Sequence, residues 1–274
     1  MTEHEIEQAA GEILKAHAIK SVPIDPLHIA CLEGITLLTG SYDNCFDSRL
    51  EYRCSRGQGR FYLFYVSEKE SGYTEGRIRF SIAHELGHFY LPEHRKFLLS
   101  GHWHGSHVGF VSHKQTEREA DLFAAALLMP KDEFVRQVDI KSDHICTFAD
   151  LETLAANVFR TSLTSTVIRY CNFDFEPCCA VLSENGRVLY SYASYSMMRQ
   201  GLGYVKKNTA VPATSVTGCL LSENLTAAPK KMEKQGRLYS DVWFERKQTA
   251  HMWEEVRILG RTGFMLTFIV LDDH

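Results

Sequence analysis

No Cys-x-x-Cys pair occurs in the chain, although it holds eight cysteines. They stand at positions 31, 45, 54, 146, 171, 178, 179 and 219. Those spacings do not resemble a structural zinc knuckle, and adjacent Cys178 and Cys179 make a poor local disulfide. At 274 residues the chain is long enough to bury an ordinary core without such staples. Reduced, mostly packed thiols are therefore expected. An excess of positive charge is also missing, since the formal net charge is -4. That argues against broad nucleic-acid binding, although a local basic patch would escape this count. No apolar run is long enough to span a bilayer. Residues 1–20 are amphipathic and acidic, without the basic segment and apolar core of a secretory signal. A cytoplasmic protein with no membrane partner is the expectation.

The pattern that is present reads as α+β. Ile6, Ala10, Ile13, Leu14 and Ala18 fall near helical spacing over residues 4–20. Asp25 is placed to cap a short helix beginning at Pro26, and Gly34 to end it. Residues 35–39 read as a strand. Two more strand-like runs flank Ser55-Arg56-Gly57-Gln58-Gly59, the second being the aromatic run Arg60 to Val66. A polar loop is expected over 67–77, then a helix capped by Ser81 and limited by Pro92. Residues 92–115 read as a loop or broken helix. Thr116 is placed to cap the next helix, Glu117 to Leu128, with Glu119 closing a capping box. A helical pair over 148–170 has helix-turn-helix-like spacing. Beyond it, Glu184-Asn185-Gly186 marks a hairpin, and strands are expected over 238–246, 253–259 and 263–271. These signals divide the chain at 1–140, 141–172 and 173–274, the last a smaller β-rich α+β domain.

The chemistry is concentrated in His84-Glu85-Leu86-Gly87-His88. Two histidines four apart lie on one helix face, so both imidazoles converge on one ion. Glu85 lies beside that face, placed as a general base toward a water activated at the metal. The pattern alone is short, and the chain has 13 histidines. A second pair sharpens it: Glu117 and Asp121, also four apart on one helix. Glu117 is the candidate third metal ligand. Asp121 is placed to accept a hydrogen bond from His84 or His88 and fix its tautomer. Glu119 reads as a cap or surface charge, and second to Glu117 as a ligand.

Weaker candidates surround this set. His94 could be a third ligand, but Leu stands at 91 and Glu93 follows Pro92. His102, His104, His107 or His113 could donate a hydrogen bond to a tetrahedral intermediate. Tyr65 and Tyr90 are candidates to line the site, with packing the plainer role. In the helical pair, Arg169 is the only basic residue of the second helix, with Arg160 just before it. A hairpin closing the catalytic domain is preferred there over direct DNA contact.

Two segments carry a family resemblance: Arg79 to His88, and Glu117 to Pro130. Together they resemble the ImmA/IrrE family of HExxH zinc metallopeptidases, over residues 20–140 and, more loosely, beyond. The resemblance implies a zincin-like, gluzincin-like domain with His84, His88 and Glu117 on zinc, Glu85 as catalytic base and Asp121 in support. It implies a carboxy-terminal domain that is GAF-like in some members and could take a small-molecule signal. Some members cut helix-turn-helix repressors and release stress-response genes.

The function expected is hydrolysis of a peptide bond in a specific protein, a transcriptional repressor being one substrate class. Zinc suits two imidazoles and a carboxylate, with manganese as the other metal. The strand Phe61 to Val66 could align an extended substrate by β-augmentation, besides being a sheet strand. Two alternatives stay open. One is a regulatory metal-binding protein that acts by binding a partner protein or DNA. The other is a metal-dependent hydrolase of small amides.

Overall fold

The computed structural model describes residues 1–42, 47–67, 73–102, 115–138, 145–226, 232–245, 249–260 and 263–272. They form two compact units, Met1–Asp139 with Thr153–Ser162, and Ile140–Glu152 with Leu163–His274. The mixture of helices and sheets makes the chain α+β.

The first unit opens with α1 (Glu3–Ala16). Thr2 accepts from the Glu5 N–H, and the Glu5 carboxylate accepts from the Thr2 N–H at 2.7 Å, so two end donors are satisfied reciprocally. Ile6, Ala10 and Leu14 form its buried stripe. Asp25 caps α2 (Pro26–Leu32) by accepting from the Leu27 and His28 N–H groups. Three strands follow, β1 (Thr36–Thr39), β2 (Ser48–Ser55) and β3 (Gln58–Tyr65), in the spatial order β1-β3-β2. β3 pairs parallel with β1 and antiparallel with β2. The aromatic strand is thus central, with a ladder on each side. β-Augmentation along Phe61 to Val66 is ruled out for that reason; among the described residues the sheet edges are β1 and β2.

Helix α3 (Glu75–Tyr90) starts seven residues before the Ile82 expected from Ser81 as a cap. Ser81 lies inside the helix, with its carbonyl oxygen 3.2 Å from the Ser48 hydroxyl oxygen. Charged side chains hold the early turns instead: Arg77 binds Asp47 at 2.8 Å, and Arg79 donates to the Arg160 carbonyl at 3.0 Å. From Ile82 to Phe89 every residue is buried, so the helix shows no clean polar face in this half. The chain turns at Leu91, and Pro92 becomes the first residue of α4 (Pro92–Leu99), where a proline costs no hydrogen bond. Next come α5 (Gln115–Leu128) and α6 (Lys131–Gln137). Because α5 already includes Gln115, Thr116 is helical and does not cap it. α5 packs against both α1 and α3.

The helix-turn-helix-like segment divides between the units. α7 (Phe148–Thr153) runs into a π-helical turn, Leu154–Phe159, and Arg160 takes a left-handed φ of 54° before α8 (Leu163–Phe173). Arg169, the basic residue of the second helix, is 2 % exposed, and its guanidinium lies 4.3 Å from the Phe173 ring centroid. It is not available to a phosphate backbone.

The second unit is built on β4 (Cys178–Glu184), β5 (Arg187–Ala193), β6 (Glu233–Tyr239), β7 (His251–Leu259) and β8 (Phe264–Leu271), with α9 (Tyr195–Arg199) and α10 (Val216–Thr226) between β5 and β6. The antiparallel sheet runs β5-β4-β8-β7-β6. β8 is buried from Met265 to Leu271, which explains its run of apolar residues around Thr267: a strand covered on both faces has no reason to alternate. One face packs Val181, Met252, Ile269 and Trp243 into a core. On α8, Tyr170 meets Phe268 edge-on at 6.0 Å between centroids. Cys171, Cys178 and Cys179 are buried, and burial pushes their thiols up, but Cys31 and Cys54 are exposed, so packing accounts for only part of the set. Cys45 lies outside the described residues.

Candidate metal centre

Two helices of the first unit bring the chemistry together. α3 carries His84, Glu85 and His88, exposed by 6, 1 and 0 % respectively. α5 carries Glu117 and Asp121. The two helices approach closely because Gly87 has no side chain at their contact: a Cβ there would lie within 3.3 Å of Ala120 and of the Phe123 Cβ. The helix face and the spacing read from the sequence thus become one three-dimensional cluster.

His84 Nε2 lies 3.1 Å from His88 Nε2. Glu117 Oε2 lies 3.2 Å from His84 Nε2, and Oε1 lies 3.8 Å from His88 Nε2. The set offers one ligand atom from each residue, all within 4.8 Å of one another. Tetrahedral zinc with bonds of about 2.1 Å places its ligand atoms ~3.4 Å apart. The observed spacings bracket that value, and two imidazole nitrogens with a carboxylate are zinc-compatible donors. The residues fit the metal.

Around this cluster each group has a partner. Asp121 Oδ1 is 2.8 Å from His84 Nδ1, so the supporting bond goes to the first histidine. Burial pulls the His84 pKa down, but the hydrogen bonds to Asp121 and Glu117 outweigh it and raise the metal-free imidazole to about 10. Glu85 accepts from the Ser48 hydroxyl at 2.9 Å, a bond buried between β2 and α3. The Ser48 contribution is not signalled by the sequence, since 37 residues separate the pair.

His94 and Glu119 take roles other than those read from the sequence. His94 is 2 % exposed and lies behind His88 rather than in the cluster. Its Nδ1 is 3.0 Å from His88 Nδ1, and its Nε2 is 3.1 Å from Glu119 Oε2. Glu119 is neither a cap nor a surface charge, being 7 % exposed. Burial pushes its carboxyl up, yet hydrogen bonds from the Met1 amine, Gln115 and His94 outweigh that and hold it below the usual range. The Thr116-to-Glu119 spacing imitates a capping box, which concealed this.

Tyr90 faces a different set: its hydroxyl donates to Glu33 at 2.9 Å, and His17 also meets Glu33 at 2.9 Å. Tyr65 pairs with Ser48 in the β2–β3 register, on the sheet face that carries the Glu85 contact. His102 is exposed, bonded to Ser100 at 2.8 Å and stacked on Phe97. His104, His107 and His113 lie outside the described residues.

No curated protein matches the chain. Residues 69–169 match the sequence model of the Peptidase_M78 family, described as the IrrE N-terminal-like domain. That stretch contains α3, α5 and the whole His84, His88 and Glu117 cluster. Over these residues the chain is similar to the IrrE N-terminal-like domain, which supports its resemblance to the ImmA/IrrE family of metallopeptidases.

Proposed function

We propose that the first unit is a zincin-like, zinc-dependent endopeptidase that cuts a specific intracellular protein, with a helix-turn-helix transcriptional repressor as the substrate class. The observation that carries this reading is the convergence of His84, His88 and Glu117 next to a buried Glu85. His84, His88 and Glu117 would hold the metal, and Asp121 would keep the His84 Nε2 lone pair directed at it. Bound there, zinc would supply Lewis acidity toward a carbonyl and a water. Glu85 takes the proton of the attacking water and delivers it to the departing amide nitrogen. The Ser48 hydroxyl holds one carboxylate oxygen so that this exchange occurs at a fixed position. Substrate would align as an extended strand on the edge of β2, the strand that reaches Glu85 through Ser48.

The second unit, proposed as GAF-like, would take a small-molecule signal and so limit cleavage to stress. Direct DNA contact is not part of this proposal, because Arg169 is buried against Phe173.

Glu85→Gln tests the reading, since the amide keeps the shape of the carboxylate but cannot take a proton. Expected is stoichiometric zinc in both proteins, and a cellular protein whose new amino terminus appears with wild type and not with Glu85→Gln. Purified wild type without stoichiometric zinc would remove the basis of the reading. Zinc binding with identical cellular amino termini in both strains would favour a regulatory metal-binding protein instead.

A further inference from the structure

Three helices of the first unit meet behind His88. Its Nδ1 faces His94 Nδ1 at 3.0 Å, and the other nitrogen of His94 faces Glu119 at 3.1 Å. α3 supplies His88, α4 supplies His94 and α5 supplies Glu119. His88 and His94 are 0 and 2 % exposed, so these bonds stand in a low-dielectric interior where an unmatched polar contact is costly.

Two facing ring nitrogens form a hydrogen bond only when one is protonated and the other is not. If His88 gives its Nε2 lone pair to a metal, its proton must sit on Nδ1. His88 Nδ1–H then donates to His94 Nδ1. A neutral His94 accepting there must carry its own proton on Nε2, and that proton is directed at Glu119 Oε2. One choice at His88 therefore settles every donor and acceptor along the line, and the carboxylate at the end favours that choice.

We propose that His94 and Glu119 are positioning residues of the metal centre, orienting His88 as Asp121 orients His84. This rests on the zinc-site reading of His84, His88 and Glu117. The two histidines are then set by two carboxylates of the same helix, Asp121 directly and Glu119 through a bridging imidazole. An intervening imidazole is needed because Glu119 does not itself contact His88 among the described contacts, and α4 brings His94 into the gap.

Zinc affinity, measured by competition against a chromogenic chelator, tests the relay without activity. Loss of an orienting partner of this kind costs roughly 10–100-fold in metal affinity. That range is expected for His94→Phe, which fills the space but can neither accept nor donate. His94→Gln should recover part of the affinity, because its amide both accepts and donates. Glu119→Gln should show a smaller loss. Cobalt substituted for zinc should give altered visible bands in His94→Phe. Should His94→Phe fail to fold, the wild-type zinc protein still decides. Its 15N-imidazole spectra should show a nitrogen–nitrogen coupling across the His88–His94 bond, with the His94 proton on Nε2. A protonated, cationic His94 there, or no such coupling, overturns the relay. Zinc binding abolished by Glu117→Ala but unchanged in affinity and cobalt spectrum by His94→Phe and Glu119→Gln also overturns it, leaving the zinc site intact. Absence of zinc from wild type instead overturns the site and the relay together.

Discussion

A Cβ added to Gly87 would lie 3.1 Å from the Ala120 Cα and 3.2 Å from its carbonyl oxygen. Gly87 stands between the two histidines of α3, and Ala120 stands between Glu117 and Asp121 of α5. The separation of the two helices at this contact therefore decides whether the carboxylates reach the imidazoles.

Gly87→Ala sets two effects against each other. Alanine favours a helix interior over glycine by about 1 kcal/mol. Overpacking a tight contact costs about 1–3 kcal/mol. The melting temperature of the metal-free protein should change little or fall slightly, while zinc affinity falls, because relief of the clash moves Glu117 away. Gly87→Val should lose the metal outright. Differential scanning calorimetry with chelator competition checks this, and full zinc affinity in Gly87→Val would show that the approach is not limiting.

Ser48→Ala removes the hydroxyl that donates to Glu85 at 2.9 Å. A hydrogen bond to a charged group contributes about 1.5–3 kcal/mol. Since the metal ligands are untouched, zinc content should stay stoichiometric, while kcat falls roughly tenfold or more for about 1.4 kcal/mol lost from transition-state positioning. Ser48→Thr keeps the hydroxyl and should retain more activity. An unchanged kcat in Ser48→Ala would remove Ser48 from the machinery.

Glu254 is the corresponding buried anchor of the second unit. It is fully buried on β7 and accepts from the Val216 and Thr217 N–H groups, the Thr217 hydroxyl and the Trp243 indole. It thereby caps α10 from outside the helix, where a negative charge favours the N-terminus. Glu254→Ala leaves those donors without their acceptor, and each buried loss costs about 1–3 kcal/mol. A fall in stability of at least ~3 kcal/mol is expected, with Trp243 fluorescence reporting the loss. A loss below 1 kcal/mol would show that the donors find other partners.

Which parts of this were legible follows from range. His84 and His88 share a helix face by periodicity alone, and Glu117 with Asp121 repeats the same four-residue spacing, so the cluster could be read from two local patterns. The Asn185-Gly186 turn between β4 and β5 was legible for the same reason. His94 and Glu119 were not, since their bond spans 25 residues and a local capping pattern competed for Glu119. The early turns of α3 are hidden in the sequence because Ser81 resembles a cap, while those turns rely on Asp47 and Arg160. α10 is obscured in the sequence for another reason. Its Gly218 weakens the helical signal, yet a Cβ there would lie 2.2 Å from the Pro212 carbonyl oxygen, so packing requires the glycine.

The raised His84 pKa makes metal binding a proton exchange. In the metal-free protein His84 stays protonated up to about 10. The unfolded value is about 6.5. A raised folded pKa means that protonation stabilises the metal-free fold fully below the unfolded value. That stabilisation fades as pH rises through the folded one. Zinc needs the neutral imidazole, so below about 10 each bound ion must displace this proton. Apparent zinc affinity should therefore rise about tenfold per pH unit between pH 7 and 9, and more steeply if other ligands also lose protons. Titration calorimetry in buffers of differing ionisation enthalpy should count at least one proton released per zinc. Asp121→Asn weakens the bond that raises His84 and should bring the affinity plateau to lower pH, although its maximum affinity falls as the imidazole loses its orienting charge. A pH-independent affinity between 7 and 9, with no proton released, would mean that His84 is already neutral in the metal-free protein.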